Sequence, residues 1–236
     1  MPIKIDGARV FIKGHRFTVF EGGPPLSAKR PRTPAEIVNY LTSVVLYAST
    51  QSLPLSQVAE QVALFAHDLF PPQIFVGVKV WKNTASPEYF RGADDAPERS
   101  RLKLEPEQLG ETIPGTLIEA ALRTGQGILI PSTFDDNLFR LDLAQEEKVF
   151  KDRSNFIGNE EPLRRNTLGV NPDLITKWQS QLTGLQTFPI KTAQGQTLGY
   201  VFLGYNYVVT QHSPAFMLGI GAELGRFAAV MVEKSR

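Results

Sequence analysis

Between positions 33 and 72 the apolar residues recur at the spacing of a helix face in two consecutive stretches. The string Thr33-Pro34-Ala35-Glu36 is a capping box with proline at the first helical position, which predicts a helix start. Its apolar face ends before Ser52 and consists of Ile37, Leu41, Val44, Val45 and Ala48. A second helix is predicted from near Ser56 to the stop at Pro71-Pro72, with an apolar stripe of Val58, Val62, Phe65 and Leu69.

From residue 74 onward, β-branched and aromatic runs replace the helical spacing. Strands are predicted at 74–81, 127–131, 185–191 and 197–207, and the last two form a hairpin across the glycine-containing turn at 192–196. A short helix at 116–123 ends at Gly125, a typical C-cap. The final helix opens at Ser213-Pro214 and carries an apolar stripe of Met217, Ile220, Gly221, Leu224, Phe227, Ala228 and Met231.

Three other segments have the composition of an arm or of loops. Residues 8–12 and 16–20 flank a glycine turn and predict a β-hairpin, followed by a linker rich in Pro, Gly and basic residues. We therefore divide the chain into an arm with a basic linker at 1–32 and one domain at 33–236. Residues 83–112 are predicted to be a loop, and residues 132–181 a long polar insertion that cannot form a core of its own.

The order of the elements predicts an α+β fold. Strands that follow one another through turns and hairpins form an antiparallel sheet, and the longest helices stand at the two ends of the domain. We expect a central antiparallel sheet flanked by N- and C-terminal helices, with the N-terminal β-hairpin arm outside it.

The cysteine and histidine content narrows the chemistry open to the chain. It has no Cys among its 236 residues, which excludes disulfides, thiolate nucleophiles, cysteine zinc sites and thioether-linked chromophores. The three histidines are far apart, so no pair stands at metal-ligand spacing. Because no nucleophile motif or phosphate-binding loop is present either, we predict a non-enzymatic protein, with an uncharacterised hydrolase as an alternative.

Charge and hydropathy limit which partners the protein is expected to bind and in which compartment it is expected to lie. The net charge of +1 provides no overall field to attract nucleic acid or an anionic membrane, although the first 34 residues are basic. The N-terminus alternates charged and apolar residues, unlike a signal peptide, and no apolar run is predicted to reach membrane-spanning length. We therefore expect a cytoplasmic protein without membrane contact.

Three strings in the order found here resemble the GAF domain family, over about residues 53–236. The first joins the helix at 58–62 to the strand Phe75-Val76-Gly77-Val78-Lys79-Val80, and the second is the passage at 120–131, a short helix, glycine and an apolar strand. The third contains Phe188-Pro189-Ile190-Lys191, Gly195 and Leu198-Gly199-Tyr200-Val201-Phe202-Leu203, followed by an alanine-rich helix. The resemblance implies a sensory or regulatory module with a ligand pocket on one sheet face, roofed by the insertion.

Departures from the family pattern restrict what the resemblance implies. The bilin-linking GAF photoreceptors need a cysteine and the methionine-sulfoxide reductase branch needs several, so neither activity is expected from this chain. The string nearest to the cyclic-nucleotide signature is Asn137-Leu138-Phe139 with Asp142, and it lacks the lysine. A cofactor is therefore not identified, and any bilin or other small ligand would be held non-covalently.

A pocket of this kind needs apolar walls and a few polar groups. The ligand-binding residues predicted on that basis are Phe75, Leu129, Phe134, Asp135, Phe139, Phe188 and Phe202. The alternative is that the aromatic side chains only fill the core and that Asp135 caps a helix or lies in solvent. His67 is a candidate haem ligand on the second helix, with an ordinary helix residue as the alternative.

Two functions remain open on these grounds. The primary hypothesis is a sensory or regulatory protein that binds a small molecule or a partner protein and signals through its terminal helices. The alternative is a protein-interaction scaffold whose pocket is filled by its own side chains, with the basic N-terminal arm as contact. A homodimer through helices 34–49 and 214–235 is predicted from small residues such as Gly221 and Gly225, unless these helices only cover their own sheet.

Overall fold

The structure is a computed structural model, which describes most of the domain and part of the arm. The described residues are 4–6, 9–12, 15–19, 25–27, 33–50, 52–70, 73, 75–83, 85–86, 88–92, 115–134, 137–140, 163–164, 168–171, 182–210 and 212–236.

The helices begin and end close to the predicted positions because local capping groups set their ends. They are α1 (Pro34–Thr50), α2 (Leu55–Leu69), α3 (Leu117–Thr124) and α4 (Pro214–Lys234). The capping box at α1 is formed, since the Thr33 amide donates to Glu36 Oε2 at 3.0 Å and the Glu36 amide donates to Thr33 Oγ1 at 3.3 Å. Side chains of Thr116 and Ser213 cap α3 and α4, and Gly125 ends α3 with a left-handed φ of 67°.

Seven strands form the central sheet in the described part of the domain. The strands are β5 (Phe75–Val80), β6 (Glu88–Gly92), β7 (Ile128–Ile130), β8 (Asn137–Arg140), β9 (Leu163–Arg164), β10 (Gly184–Lys191) and β11 (Thr197–Tyr205). Their order in the sheet is β6-β5-β11-β10-β7-β8-β9, and every neighbouring pair is antiparallel. The α+β class with a central antiparallel sheet and terminal helices is thereby confirmed.

One edge of this sheet corrects a loop prediction. Residues 83–112 were expected to be a loop, but β6 pairs with β5 from Phe75↔Gly92 to Lys79↔Glu88. Local composition misled this prediction, because the charged residues and prolines of a sheet edge are also those of a loop. The polar insertion at 132–181 contributes β8 and β9, which extend the sheet at its other end.

A second, four-stranded antiparallel sheet lies in the N-terminal arm. Its strands follow chain order: β1 (Lys4–Asp6), β2 (Arg9–Ile12), β3 (His15–Val19) and β4 (Pro25–Ser27). The predicted hairpin corresponds to β2 and β3, which pair from Arg9↔Thr18 to Ile12↔His15.

One face of the central sheet is covered by α1, α2 and α4. Val76, Val78 and Val80 of β5 and Val201 and Leu203 of β11 join the buried side chains of these helices in one cluster. Side chains alternate between the two faces of a strand, so this cluster also fixes which residues point the other way.

Helix α4 packs directly on the backbone of β10. A Cβ atom added to Gly221 would lie 2.8 Å from Phe188 Cδ1, and one added to Gly225 would overlap the carbonyl oxygen of Pro189. Buried Gln186 ties the two elements together, since its Nε2 donates to the Met217 carbonyl at 3.0 Å and its Oε1 accepts from Tyr205 Oη at 3.3 Å. The small residues of α4 therefore serve packing within the molecule.

Within the part of the chain that the structure describes, α4 is the one helix long and apolar enough to cross a membrane. This finding corrects the expectation that no apolar run has that length. Of the 18-residue apolar window in α4, 72% is buried inside the protein, as in the core helix of a globular domain.

Candidate functional site

The sheet face turned away from α1, α2 and α4 is called the distal face here. It consists of Phe75, Gly77 and Lys79 of β5, of Trp81 directly after β5, and of Tyr200, Phe202 and Gly204 of β11. Phe75, Trp81, Tyr200 and Phe202 belong to a second apolar cluster, separate from that of the three helices. Gly77, Lys79 and Gly204 share the face because they alternate with helix-facing residues of the same strands.

One end of the distal face is filled by the protein itself. Phe75 and Phe202 meet edge to face at 5.9 Å between ring centroids, and Leu182 lies over Gly204, where an added Cβ would be 2.8 Å from Leu182 Cδ2. Leu117 and Ile118 of α3 complete this buried group. This end resembles an ordinary core more than a ligand pocket.

Hydrogen bonds to backbone carbonyls hold the covering segments in place at that end. Thr133 Oγ1 donates to the Leu182 carbonyl at 3.0 Å, and Arg123 Nη2 donates to the Leu168 carbonyl at 2.7 Å. The Asn171 amide donates to the Gly115 carbonyl at 2.8 Å, so the described end of the insertion is joined to the start of α3. Leu168 and Val170 are buried there.

The other end of the distal face brings together aromatic rings and a cation. Trp81 and Tyr200 meet at 6.5 Å between centroids with an interplanar angle of 60°. Trp81 is half-buried and held at two points, since its amide donates to the Leu198 carbonyl at 2.9 Å and its Nε1 donates to the Thr197 carbonyl at 3.1 Å. Lys79 is half-buried, with Tyr200 of β11 as its direct cross-strand neighbour on one side and Glu88 of β6 on the other.

The structure divides the predicted site residues between different surroundings. Phe75 and Phe202 lie together on the distal face. Leu129 and Phe188 lie in the cluster of the three helices, Phe188 5.7 Å from the ring of Phe70, and Phe139 packs against the same cluster. Phe134 is at the surface with 67% of its area exposed, and Asp135 lies outside the described residues.

Sequence reasoning did not single out Lys79, Trp81 or Tyr200. Tyr200 shares the face of the other two through its register opposite Lys79, which the sequence alone does not reveal. Lys79 and Trp81 are identified by the period of two along β5, where Val76, Val78 and Val80 occupy every second position. Because three valines at that spacing indicate one buried face, the residues between them mark the opposite face.

Among the described residues, burial shifts the pKa of three groups outside the distal face, namely Tyr40, Tyr47 and His212. Tyr40 Oη donates to Asp68 Oδ2 at 2.8 Å, and burial, together with the nearby carboxylate, raises the pKa of Tyr40 well above its ordinary value. Burial lowers the pKa of His212, whose ring lies 5.1 Å from that of Phe216. The Tyr40–Asp68 bond joins α1 to α2, and the His212–Phe216 contact lies at the N-terminus of α4, so both serve the packing of the domain.

The described side chains form no metal centre, and the cleft that they leave elsewhere in the domain is small. No group of three or more His, Cys, Asp or Glu is placed to hold a metal ion among them, and His67 lies half-buried on α2. A cleft between Gln126, Pro189, Lys191 and Arg226 has a volume of about 20 Å³, enough for about one water molecule. Lys191 Nζ there donates to the Gly125 carbonyl at 2.8 Å, which fastens the turn after α3.

Comparison with known proteins relates the fold to phytochromes. The chromophore-binding domain of an unusual bacteriophytochrome from R. palustris is similar with a TM-score of 0.51 and 10% identity, over 86% of this chain and 62% of that chain. The phycoerythrobilin-bound GAF domain of a cyanobacterial phytochrome has a TM-score of 0.46 and 8% identity, over 86% of this chain and 95% of that chain. The chromophore-binding domain of a Stigmatella aurantiaca bacteriophytochrome has a TM-score of 0.46 and 11% identity, over 95% and 72% of the two chains.

Comparison at the level of sequence found no relative. No protein-family model matches the chain, and no curated protein does. The structural similarity to the R. palustris domain concerns the fold alone, and the GAF-like fold implied by the sequence resemblance is confirmed at that level.

Proposed function

We propose that this protein is a sensory domain that binds a small conjugated acid non-covalently at the Trp81 end of the distal face. The observation that carries the proposal is the grouping of Lys79, Trp81 and Tyr200 on one sheet face, next to a core that is already complete around Phe75 and Phe202. Aromatic walls with one cation are the composition of a site for a flat organic anion.

The chemistry of each residue indicates a separate role in binding. Trp81 and Tyr200 offer ring faces and edges to a conjugated ligand. Lys79 carries three N–H donors, so its ammonium can bind a ligand carboxylate while it keeps another contact. Attachment through a thioether is excluded because the chain has no Cys. The similar R. palustris domain binds a chromophore, so a free bilin is the natural first probe.

The test is a titration of the purified chain with phycocyanobilin, followed by the shift of the bilin absorption band and of the melting temperature. We expect binding that is lost on denaturation, since no covalent bond forms. Trp81→Leu should weaken binding about tenfold through the loss of ring contact. Val208→Ala is the matched control, because Val208 is 45% exposed and lies outside the distal face.

Esterification of the bilin separates the role of Lys79 from that of the aromatic rings. Lys79→Met should weaken binding of the free acid and leave binding of the dimethyl ester unchanged, since only the acid can pair with the ammonium. The proposed site would be contradicted if the Trp81→Leu variant bound both the free acid and the dimethyl ester as tightly as the wild-type chain does.

A protein-interaction scaffold is the second candidate function. It is favoured by the self-filled end of the distal face, where Leu182, Phe75 and Phe202 leave no room between them. The same titration distinguishes the two functions, because a scaffold with a filled pocket gives no band shift and no change in melting temperature with any bilin.

A further inference from the structure

Lys82 links the end of the distal face to the end of α4. Its Nζ donates to the Glu233 carbonyl at 2.8 Å and to the Ser235 carbonyl at 2.7 Å. The last carbonyls of a helix lack intrahelical donors and lie at the negative end of the helix dipole. A lysine from a different element therefore completes the C-terminus of α4.

The backbone around Lys82 is fixed by a tight turn. Lys82 and Ala85 exchange two backbone hydrogen bonds of 3.0 and 3.1 Å, and Asn83 between them has a left-handed φ of 56°. Asparagine tolerates this conformation better than most residues, as tight hairpin turns require. Lys82 thus has little freedom to move independently of the strand end.

Trp81 and Lys82 are adjacent and point to opposite sides of the sheet. The ring of Trp81 meets Tyr200 on the distal face, whereas the Lys82 side chain reaches α4 on the helix side. The Trp81 amide and Nε1 are bonded to Leu198 and Thr197 of the neighbouring strand. A single, constrained backbone segment therefore joins the Trp81 ring to the Lys82 side chain.

The end of α4 is also tied to the connector between α1 and α2. Ser52 Oγ donates to the Lys234 carbonyl at 2.9 Å, and the Arg236 amide donates to the Leu53 carbonyl at 3.0 Å. Arg236 Nη2 adds a bond of 3.0 Å to the Ser52 carbonyl. The three successive carbonyls at positions 233, 234 and 235 thus accept hydrogen bonds from Lys82 and from Ser52 of the connector. Among the bonds described, those of Lys82 alone link these carbonyls to the distal face.

We infer that Lys82 is a latch that couples the Trp81 end of the distal face to the order of the α4 C-terminus. The inference rests on the proposed function for its ligand, and it specifies how that site is read out. A ligand that packs on Trp81 holds the strand end and tightens the latch, which protects the last turn of α4 from opening. Coupling of this kind acts in both directions, so loosening the latch weakens ligand binding.

Amide hydrogen exchange of the C-terminal peptide 225–236 tests the latch without a ligand. Lys82→Met keeps the aliphatic stem and removes the charged donor, so exchange in this peptide should become about tenfold faster. The Lys82→Arg variant should keep most of the exchange protection that Lys82→Met loses, because the guanidinium can also donate to two carbonyls. A peptide from α2 serves as an internal control, and its exchange should not change in any variant that remains folded.

A double-mutant cycle then tests the link to the distal face. Trp81→Leu alone should accelerate exchange at 225–236, and it should add nothing in the Lys82→Met background if Lys82 transmits the effect. Independent, multiplicative effects of the two substitutions would overturn the inference, as would unchanged exchange in Lys82→Met.

Phycocyanobilin adds the ligand-dependent arm of the experiment. It should slow exchange at 225–236 in the wild-type chain and leave that peptide unchanged in Lys82→Met, which should also bind the bilin at least about fivefold more weakly. Absence of bilin binding in the wild-type chain would refute the proposed ligand but not the latch, since the cycle above needs no ligand. Equal slowing in wild type and Lys82→Met would overturn the latch while the binding site stands.

Discussion

At the residue scale, His212 gives the domain a specific pH dependence. Its half-buried ring packs on Phe216 beside the N-terminus of α4, and burial lowers its pKa. The unfolded chain therefore takes up a proton at a higher pH than the folded chain, so stability falls as the pH drops below about 6.5, the ordinary histidine value. A positive charge at a helix N-terminus is also unfavourable.

The measurement is the urea midpoint of unfolding between pH 8 and pH 5. His212→Asn should flatten the fall in the midpoint over the pH range just below 6.5, because asparagine does not titrate there. A fall of the same size in His212→Asn and wild type would show that other groups cause it.

Single residues were also where the sequence was least informative about the site. It singled out Phe75 and Phe202 but not Trp81 or Tyr200, and it did not assign each side chain to a sheet face. Leu129 and Phe188 lie towards the helices, whereas Phe75 and Phe202 lie on the distal face. Central strands buried on both sides carry apolar residues in succession, so the polar alternation that normally marks a solvent face is missing. In β5, valine occupies every second position and Lys79 lies between two valines, so some alternation is still visible there.

At the scale of elements, the contact of α4 with β10 depends on a missing side chain. Gly225 faces the Pro189 carbonyl so closely that a Cβ atom would overlap the oxygen. Gly225→Ala should lower the free energy of unfolding by about 1–3 kcal/mol, the usual effect of overpacking. This cost exceeds the gain of about 1 kcal/mol that alanine brings over glycine within a helix.

Chemical denaturation of Gly225→Ala and of Arg226→Ala measures this effect against a neighbour on the same helix. Arg226 is exposed, and its truncation should change the free energy of unfolding by less than about 0.5 kcal/mol. Unchanged or increased stability of Gly225→Ala would mean that α4 moves away from β10 at little cost.

The elements themselves were predicted well where their ends carry local chemistry. The Thr33 and Glu36 pair, Ser213 and Gly125 act on backbone groups within a few residues, so the sequence alone reveals them. β6, β8 and β9 were not foreseen because their proline-rich or charged surroundings have the composition of loops, although β6 and β8 each pair with the strand that precedes them. The Lys82 bond to Glu233 joins residues 151 positions apart, a distance over which sequence spacing carries no information.

At the scale of the whole molecule, the structure changes how a homodimer would form. Gly221 and Gly225 were expected to allow two copies of α4 to approach, but both face β10 of the same chain. The outer side of α1 remains: Thr42, Leu46 and Thr50 are exposed, and the chain has no charged residue from 37 to 50. A helix surface without charge is typical of the centre of an interface.

We therefore expect the predicted homodimer to pair through α1 rather than through α4. Leu46 is 46% exposed at the middle of this surface, and Leu46→Glu would place two like charges near a two-fold axis. Light scattering after size exclusion should show a dimer for the wild-type chain and a monomer for Leu46→Glu. Val208→Glu is the matched control, since Val208 is 45% exposed outside α1 and its substitution should leave the dimer intact. A monomeric wild-type chain would contradict the homodimer, and a dimeric Leu46→Glu would place its interface elsewhere.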